Sequence, residues 1–377
     1  MLVIVTNIPT PYRTAFFNTL NDQLQLKGIG FHVLYCAETE PRRYWIFNGN
    51  ENNYSYTFLK GFHPKFEGFY PHINFGLIST LKKLKPEYLI VAGSWNAPST
   101  INILLNKNKI KAKIIFWSEG HADAQRSKNN FITVIRKKVF STFDAFLVPN
   151  DRSKEYAKSL NSNALIGFLP NTIDEDFYSI EQADDIEALR IKYKIDVNKK
   201  LFLCVATLSD RKGVFELLEA YNLLESSIKD NLILAYIGTG ALLEKMEDYI
   251  KLNSLENILI LGQRDKFYVR DFLKLSDVFV LPTKLDANPL TPIEASFMRK
   301  PLLLSYLAGN FNELVFEDNG IGIKDINIEL IRIALKHLFL LESSNIQDMG
   351  NNSYKNVSEN FTREKASLRL IDFLDKL

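Results

Sequence analysis

The chain has 377 residues, 46% apolar and 24% charged, with a formal net charge of +2; that length exceeds one ordinary core and fits two α/β domains of about 170–200 residues. It holds no low-complexity tract and no run near the roughly 20 apolar residues that cross a bilayer, which excludes a disordered chain and a helical membrane span. The two cysteines, Cys36 and Cys204, and the five histidines form neither a disulfide framework nor a zinc spacing, so no metal, cofactor or thiol chemistry is expected.

In chain order, the N-terminus opens directly on a strand pattern without a basic n-region, apolar h-region or cleavage site, so the chain is expected in the cytoplasm. Strands are expected at Leu2–Ile8, Phe31–Cys36, Tyr88–Ala92, Ile114–Trp117 and Ala145–Val148. Helices over Tyr12–Leu26, Ser99–Lys107 and Phe131–Phe140 separate them, and such alternation implies a parallel sheet. The interval Glu38–Phe75 breaks the pattern with Tyr44, Trp45, Phe47, Tyr54, Tyr56, Phe58, Phe66, Phe69 and Tyr70. It reads equally as an acceptor surface or as packing aromatics. Near Pro170-Asn171-Thr172-Ile173-Asp174 the alternation stops, and a polar, acidic stretch runs to about Lys200.

The pattern then restarts, with strands expected at Leu201–Ala206, Leu232–Ile237, Ile258–Leu261, Val278–Leu281 and Leu302–Ser305. The helices between them are Val214–Leu224, Leu242–Leu252, Tyr268–Leu275 and Pro292–Phe297. The boundaries that follow are 1–172 for a first domain, 173–360 for a second, and 361–377 for a helix able to return to the first domain. Two doubly wound sheets are expected to face each other across a cleft, since open α/β sheets bind ligands beyond the C-terminal ends of their strands.

The sharpest constellation runs from Leu281 to Ala295. A strand ends at Pro282, a loop carries Asp286, Asn288, Pro289 and Leu290, and a helix starts near Thr291. Free N–H groups of a first helical turn suit a phosphate. Glu294, on that turn, can accept hydrogen bonds from vicinal hydroxyls or can simply complement the helix dipole. Arg211 and Lys212 before the helix at Val214 are basic where the dipole disfavours them, a hint of an anion. Gly238 and Gly240 mark a tight turn after a strand.

Asp286-x7-Glu294 resembles the E-x7-E signature of the family 4 retaining glycosyltransferases. Leu208–Gly213 resembles that family's R-K-G segment, Gly238-Thr239-Gly240 its G-x-G turn, Pro170–Asp174 its P-N-x-x-D segment, and Thr10-Pro11-Tyr12-Arg13 its N-terminal P-Y-R loop. The resemblance implies a GT-B fold of two Rossmann-like domains and transfer of a sugar from a nucleotide-sugar to an acceptor. It also implies roles. Arg211 and Lys212 neutralise the leaving diphosphate in place of a metal; Gln263 and Arg264 lie by the nucleobase; Asp286 contacts the donor sugar. His121, with Glu119 as a rival, approaches the donor from the first domain. The leaving phosphate itself takes the acceptor proton, so no catalytic dyad is implied. Two departures stand out. Asp286 is shorter than Glu by about 1.5 Å, one carbon–carbon bond, and Thr207 replaces an arginine common in the family.

Alternatives are a nucleotide-sugar epimerase or a catalytically silent scaffold of the same fold. A dinucleotide enzyme is disfavoured because Leu243 stands where a third glycine belongs, and Asp174-Glu175-Asp176 mimics the D-x-D of metal-dependent transferases at a domain boundary. Residues 79–138 carry twelve basic groups against three acids, either a solvated face or a site for an anionic partner. Together with Phe131–Phe140, which mixes apolar and basic residues, this points to the inner face of an anionic membrane. A polyprenyl-linked saccharide for a bacterial surface glycan is then the expected acceptor, and no nucleic acid is expected.

Overall fold

A computed structural model describes residues 1–41, 47–66, 70–124, 129–179 and 185–377. Tyr44, Trp45 and Phe69 of the aromatic interval, and Arg126 and Lys128 of the basic region, lie outside the described residues. The chain divides into two compact units, Met1–Ile173 with Arg363–Leu377, and Asp174–Thr362.

The first unit contains β1 (Leu2–Thr6), α1 (Pro11–Leu26), β2 (Phe31–Tyr35), β3 (Ser55–Phe58), β4 (Gly61–Phe62), β5 (Ile73–Asn74), α2 (Leu77–Leu84) and β6 (Tyr88–Ala92). It continues with α3 (Pro98–Leu105), α4 (Lys107–Ile110), β7 (Lys113–Trp117), α5 (Asn130–Phe140), β8 (Ala145–Val148), α6 (Asp151–Leu160) and β9 (Leu165–Phe168). Among the described residues seven strands form one sheet in the order β3-β2-β1-β6-β7-β8-β9, each pair parallel. Alternate side chains of a strand point to opposite faces. Leu2 and Ile4 therefore join a core with Phe16, Phe17 and Leu20 of α1 and Leu370, Ile371 and Leu374 of the C-terminal helix. Val3 and Val5 join the opposite core with Leu81, Ile103 and Phe140. Burial on both faces is why these strands read as continuous apolar runs.

The second unit contains α7 (Ile186–Tyr193), β10 (Lys200–Val205), α8 (Val214–Asn222), α9 (Ser226–Lys229), β11 (Leu232–Ile237), α10 (Leu243–Leu252), β12 (Ile258–Ile260) and α11 (Lys266–Leu275). Then come β13 (Val278–Leu281), α12 (Thr291–Phe297), β14 (Leu302–Ser305), α13 (Phe311–Leu314), β15 (Gly320–Ile323), α14 (Ile328–Leu340) and α15 (Ser343–Asn360), and α16 (Arg363–Leu374) returns to the first unit. The sheet order is β12-β11-β10-β13-β14-β15, again parallel.

Three local readings change. Ser99–Lys107 is two helices, α3 ending at Leu105 and α4 starting at Lys107; the Asn106 amide bonds back to Asn102 O at 3.0 Å, the local competition for backbone groups by which Asn ends helices. The interval Glu38–Phe75 is no bare insertion, since β3 adds to the main sheet beside β2. Within it Phe47 packs against Tyr56 at 5.3 Å, and Phe58 packs against Tyr35 of β2 at 5.4 Å, between ring centroids. Arg136 is no surface cation: it is buried with its guanidinium 5.4 Å from the Trp95 ring centroid. Among the described residues no helix is long and apolar enough to cross a membrane.

Candidate active site

In the second sheet the strand order reverses between β10 and β13, which are paired through Phe202↔Val278 and Leu203↔Phe279. At such a switch point two adjacent strands lead into loops that diverge, leaving a crevice beyond their C-terminal ends. The loop after β10 carries Arg211 and Lys212 in a 3-10 turn, Asp210–Lys212. Gly213 follows with φ 65°, and a Cβ there would overlap the Pro282 carbonyl oxygen. Glycine is thus what lets the R-K-G turn lie against the end of β13. The two loops are tied together: Lys284 N and Thr283 Oγ1 donate to Arg211 O at 2.9 and 3.0 Å, and Arg211 Nη1 donates to Leu285 O at 2.9 Å.

These ties bring Asp286 against the cations. Lys212 Nζ forms an ion pair with Asp286 Oδ2, and Arg211 Nη1 lies 4.0 Å from Oδ1. The Lys212 and Asp286 side chains are 11% and 15% exposed, whereas Arg211 is 51% exposed. The carboxylate therefore fixes the ammonium, and the guanidinium remains open to an anion. The expected division, with Asp286 on the sugar and Arg211 and Lys212 on the diphosphate, becomes a single cluster of two cations and one carboxylate. Lys284 is engaged elsewhere, with Asp210 and Glu216 at 2.6 and 2.5 Å.

The first turn of α12 offers fewer donors than its sequence suggested. Ile293 N and Glu294 N both close on Leu290 O, at 2.9 and 3.1 Å, and Pro292 has no N–H. The turn can thus present the N–H groups of Leu290 and Thr291. Asn310 Nδ2 holds the Pro289 carbonyl at 2.8 Å, and Asn288 N donates to Asp286 Oδ1 at 3.4 Å, so the loop before the helix is braced from both sides. Glu294 is partly buried. Loss of solvent pushes its carboxyl up to about 7, opposed by a hydrogen bond with Tyr178. The Tyr178 phenol is itself raised, by burial first and then by the Glu294 charge. The sequence reading missed Tyr178. Its only local signal was an aromatic pair, Phe177-Tyr178, in an otherwise acidic stretch.

Gly238, with φ 146°, and Gly240 press against the loop after β10, where Cβ atoms would overlap the carbonyl oxygens of Ala206 and Leu208. Leu208 N donates to Thr239 O at 3.0 Å and Leu242 N to Leu208 O at 3.0 Å. These glycines shape the loop that positions Arg211 and Lys212. Gln263 and Arg264 are exposed after β12, with the Arg264 guanidinium bonded to Leu261 O at 2.7 Å and 4.7 Å from the Tyr268 ring centroid.

In the first unit a second group gathers beyond the ends of β1, β7 and β9. Thr10 precedes α1, Pro11 and Tyr12 open it, and Arg13 reaches back to Thr6 Oγ1 at 2.8 Å. Arg13 also lies 3.4 Å from Glu119 Oε1 and 4.8 Å from the Trp117 ring centroid. Asn171 Nδ2 donates to the same Glu119 oxygen at 3.1 Å. The P-Y-R loop, Glu119 and the P-N-x-x-D segment are therefore one hydrogen-bonded unit. His121 is 2% exposed, with Nδ1 3.8 Å from Asp123 Oδ2, inside the turn after β7 and not on its rim.

Residues 185–356 match the family profile of glycosyl transferases group 1. The chain is 24% identical over 237 residues to the trehalose synthase of Thermococcus litoralis, a match spanning 59% of this chain and 56% of that enzyme. It thus spans about half the length of that relative. It is 28% identical over 149 residues to a UDP-Gal:alpha-D-GlcNAc-diphosphoundecaprenol alpha-1,3-galactosyltransferase of Escherichia coli, over 38% of each chain. A glycosyltransferase structure from Rickettsia africae superimposes with a TM-score of 0.77 at 13% identity, covering 100% of this chain and 97% of the other. The fold is α/β with two Rossmann-like units, the GT-B class.

Proposed function

Because residues 185–356 match the profile of glycosyl transferases group 1, we propose that this chain is a retaining, family 4-type transferase that moves a hexosyl group from a nucleotide-sugar to a saccharide or polyprenyl-linked saccharide. The observation that carries this reading is the Arg211–Lys212–Asp286 cluster at the β10/β13 switch point. Its net positive charge lies where a diphosphate would leave, and preorganised charge stabilises a leaving group without reorganisation. Glu294 accepts the ribose hydroxyls, oriented by Tyr178. The bond from the anomeric carbon to the diphosphate breaks as the bond to the acceptor oxygen forms on the same face, and a phosphate oxygen takes the acceptor proton. The fixed cations stand in for a metal. Glu119, bonded to Arg13 and Asn171, belongs to the acceptor-side group of the first unit, where buried His121 supports the turn after β7.

A surface-glycan acceptor is supported by α5. Phe131, Val134 and Ile135 are 71%, 64% and 40% exposed, and with exposed Lys138 they follow the i, i+3, i+4, i+7 spacing of one helix face. Apolar residues flanked by lysines are how interfacial helices meet anionic lipid, and the name of the Escherichia coli relative specifies a diphosphoundecaprenol-linked acceptor. The test is incubation with UDP-, GDP- and dTDP-sugars and detection of released diphosphate, with and without EDTA. Release from one donor, unchanged by EDTA and abolished in Arg211→Ala/Lys212→Ala, is expected. Loss of release in EDTA, restored by manganese, overturns the metal-free mechanism.

A further inference from the structure

The segment from His63 to His72 begins with His63-Pro64 and ends with Pro71-His72, and the donor chemistry uses neither histidine. Its neck is the antiparallel pair β4 and β5, Gly61 opposite Asn74 and Phe62 opposite Ile73. His72 is 5% exposed. Its Nε2 lies 2.9 Å from Glu40 Oε1 and its Nδ1 lies 3.1 Å from His63 Nδ1. An ionised carboxylate only accepts, so His72 Nε2 carries the proton and its Nδ1 turns a lone pair toward His63.

That is the arrangement a metal-binding histidine pair needs. Two imidazole nitrogens at about 2.05 Å from a tetrahedral ion stand about 3.3 Å apart, a few tenths of an ångström from the observed spacing. A carboxylate behind the bound imidazole is the usual outer partner that fixes tautomer and orientation. Glycine at position 61 makes room for it. A Cβ there would stand 2.6 Å from Ile73 O, 2.9 Å from Asn74 Nδ2 and 3.1 Å from His63 Cε1. In the same knot Asn74 Oδ1 is buried without a hydrogen-bond partner among the described residues. His63 is exposed, so water can complete the coordination sphere.

We propose that His63 and His72, backed by Glu40, bind one late first-row divalent ion such as Zn²⁺ or Ni²⁺, which clasps the paired strands β4 and β5. In the free protein the one proton of neutral His63 lies on Nδ1, between the two rings; on binding it passes to His63 Nε2 by exchange with solvent, and the ion takes the vacated place between the two Nδ1 atoms. Among the described residues no group of three His, Cys, Asp or Glu side chains is gathered for a metal, so binding is expected at about micromolar strength, below that of a closed structural zinc site.

The test is calorimetric titration of the whole, EDTA-stripped protein with ZnCl₂ and with NiCl₂ in a non-chelating buffer. One saturable site is expected. His63→Ala, at an exposed position, should weaken it tenfold or more. Glu40→Gln, which leaves both nitrogens in place, should weaken it by about tenfold, and His337→Ala, at an exposed position of α14, should leave it unchanged. Circular dichroism on each variant separates lost binding from lost fold. A protein that binds no ion, or a folded His63→Ala variant that binds as tightly as the parent, overturns the proposal. Neither result bears on donor hydrolysis.

Discussion

Glu294 is held where ionisation costs free energy. Its carboxyl is raised to about 7 because burial removes water, and the Tyr178 hydrogen bond recovers only part of the loss. In the proposed role Glu294 accepts hydrogen bonds from a ribose diol, so the ionised form would be the one that binds. Between pH 8 and pH 6 the affinity for an intact nucleotide-sugar, whose phosphates do not titrate there, should fall about tenfold. Glu294→Gln should bind weakly and without that pH dependence; calorimetry at both pH values checks this. Stability runs the other way. A carboxyl raised in the folded state binds more protons there than in the unfolded chain, so its ionisation destabilises the protein above about pH 7, and the penalty fades as the pH falls toward the ordinary carboxylate range. Glu294→Gln should therefore stabilise the ligand-free protein by about 2 kcal/mol at pH 8, and much less at pH 5, by thermal melts. The position of Glu294 on a first helical turn was legible in the sequence because Asp286 and Glu294 are local neighbours. Its Tyr178 partner was not, since more than a hundred residues separate the two.

At the scale of elements, α5 shows what a periodicity leaves open. The segment's apolar residues could have covered the sheet with either of two stripes, and the fold buries Arg136 and Phe140 while leaving Phe131, Val134 and Ile135 outward. Each lysine near an anionic leaflet contributes about 1 kcal/mol. Lys137→Glu with Lys138→Glu should thus reduce co-sedimentation with anionic vesicles by tenfold or more at low salt, with little effect on neutral vesicles. Arg136→Glu should act differently. A carboxylate in that buried place loses the Trp95 contact, so a lower melting temperature is expected. Equal sedimentation of the double variant and the parent would remove the membrane from the proposed function.

For the whole molecule, the last helix decides the stability of the first unit. α16 buries Leu370, Ile371, Phe373 and Leu374 in the core that contains α1. At about 1.5–3 kcal/mol for each buried side chain, their loss is comparable to the roughly 5–15 kcal/mol that stabilises a domain. A chain ending at Thr362 should therefore lose its cooperative thermal transition or accumulate as insoluble protein. A sharp melt within a few degrees of the parent's would show that α16 is dispensable.

The sequence by itself determined the strand–helix alternation of both halves and the placing of Asp286, Glu294, Arg211 and Lys212 on loops or first turns after strands. Those are local facts, read from apolar periodicity and from residues a few positions apart. Only the tertiary structure decided which strands lie side by side. Pairing β10 with β13 joins segments far apart in the chain, and that pairing alone sets Lys212 against Asp286, 74 residues away. The same holds for Glu119, which meets Arg13 and Asn171 across 106 and 52 residues. Strand order follows from burying both faces of a sheet under helices that cross over it, a condition on the whole unit. No window of sequence contains it, and the charges that end up as partners are chosen by it.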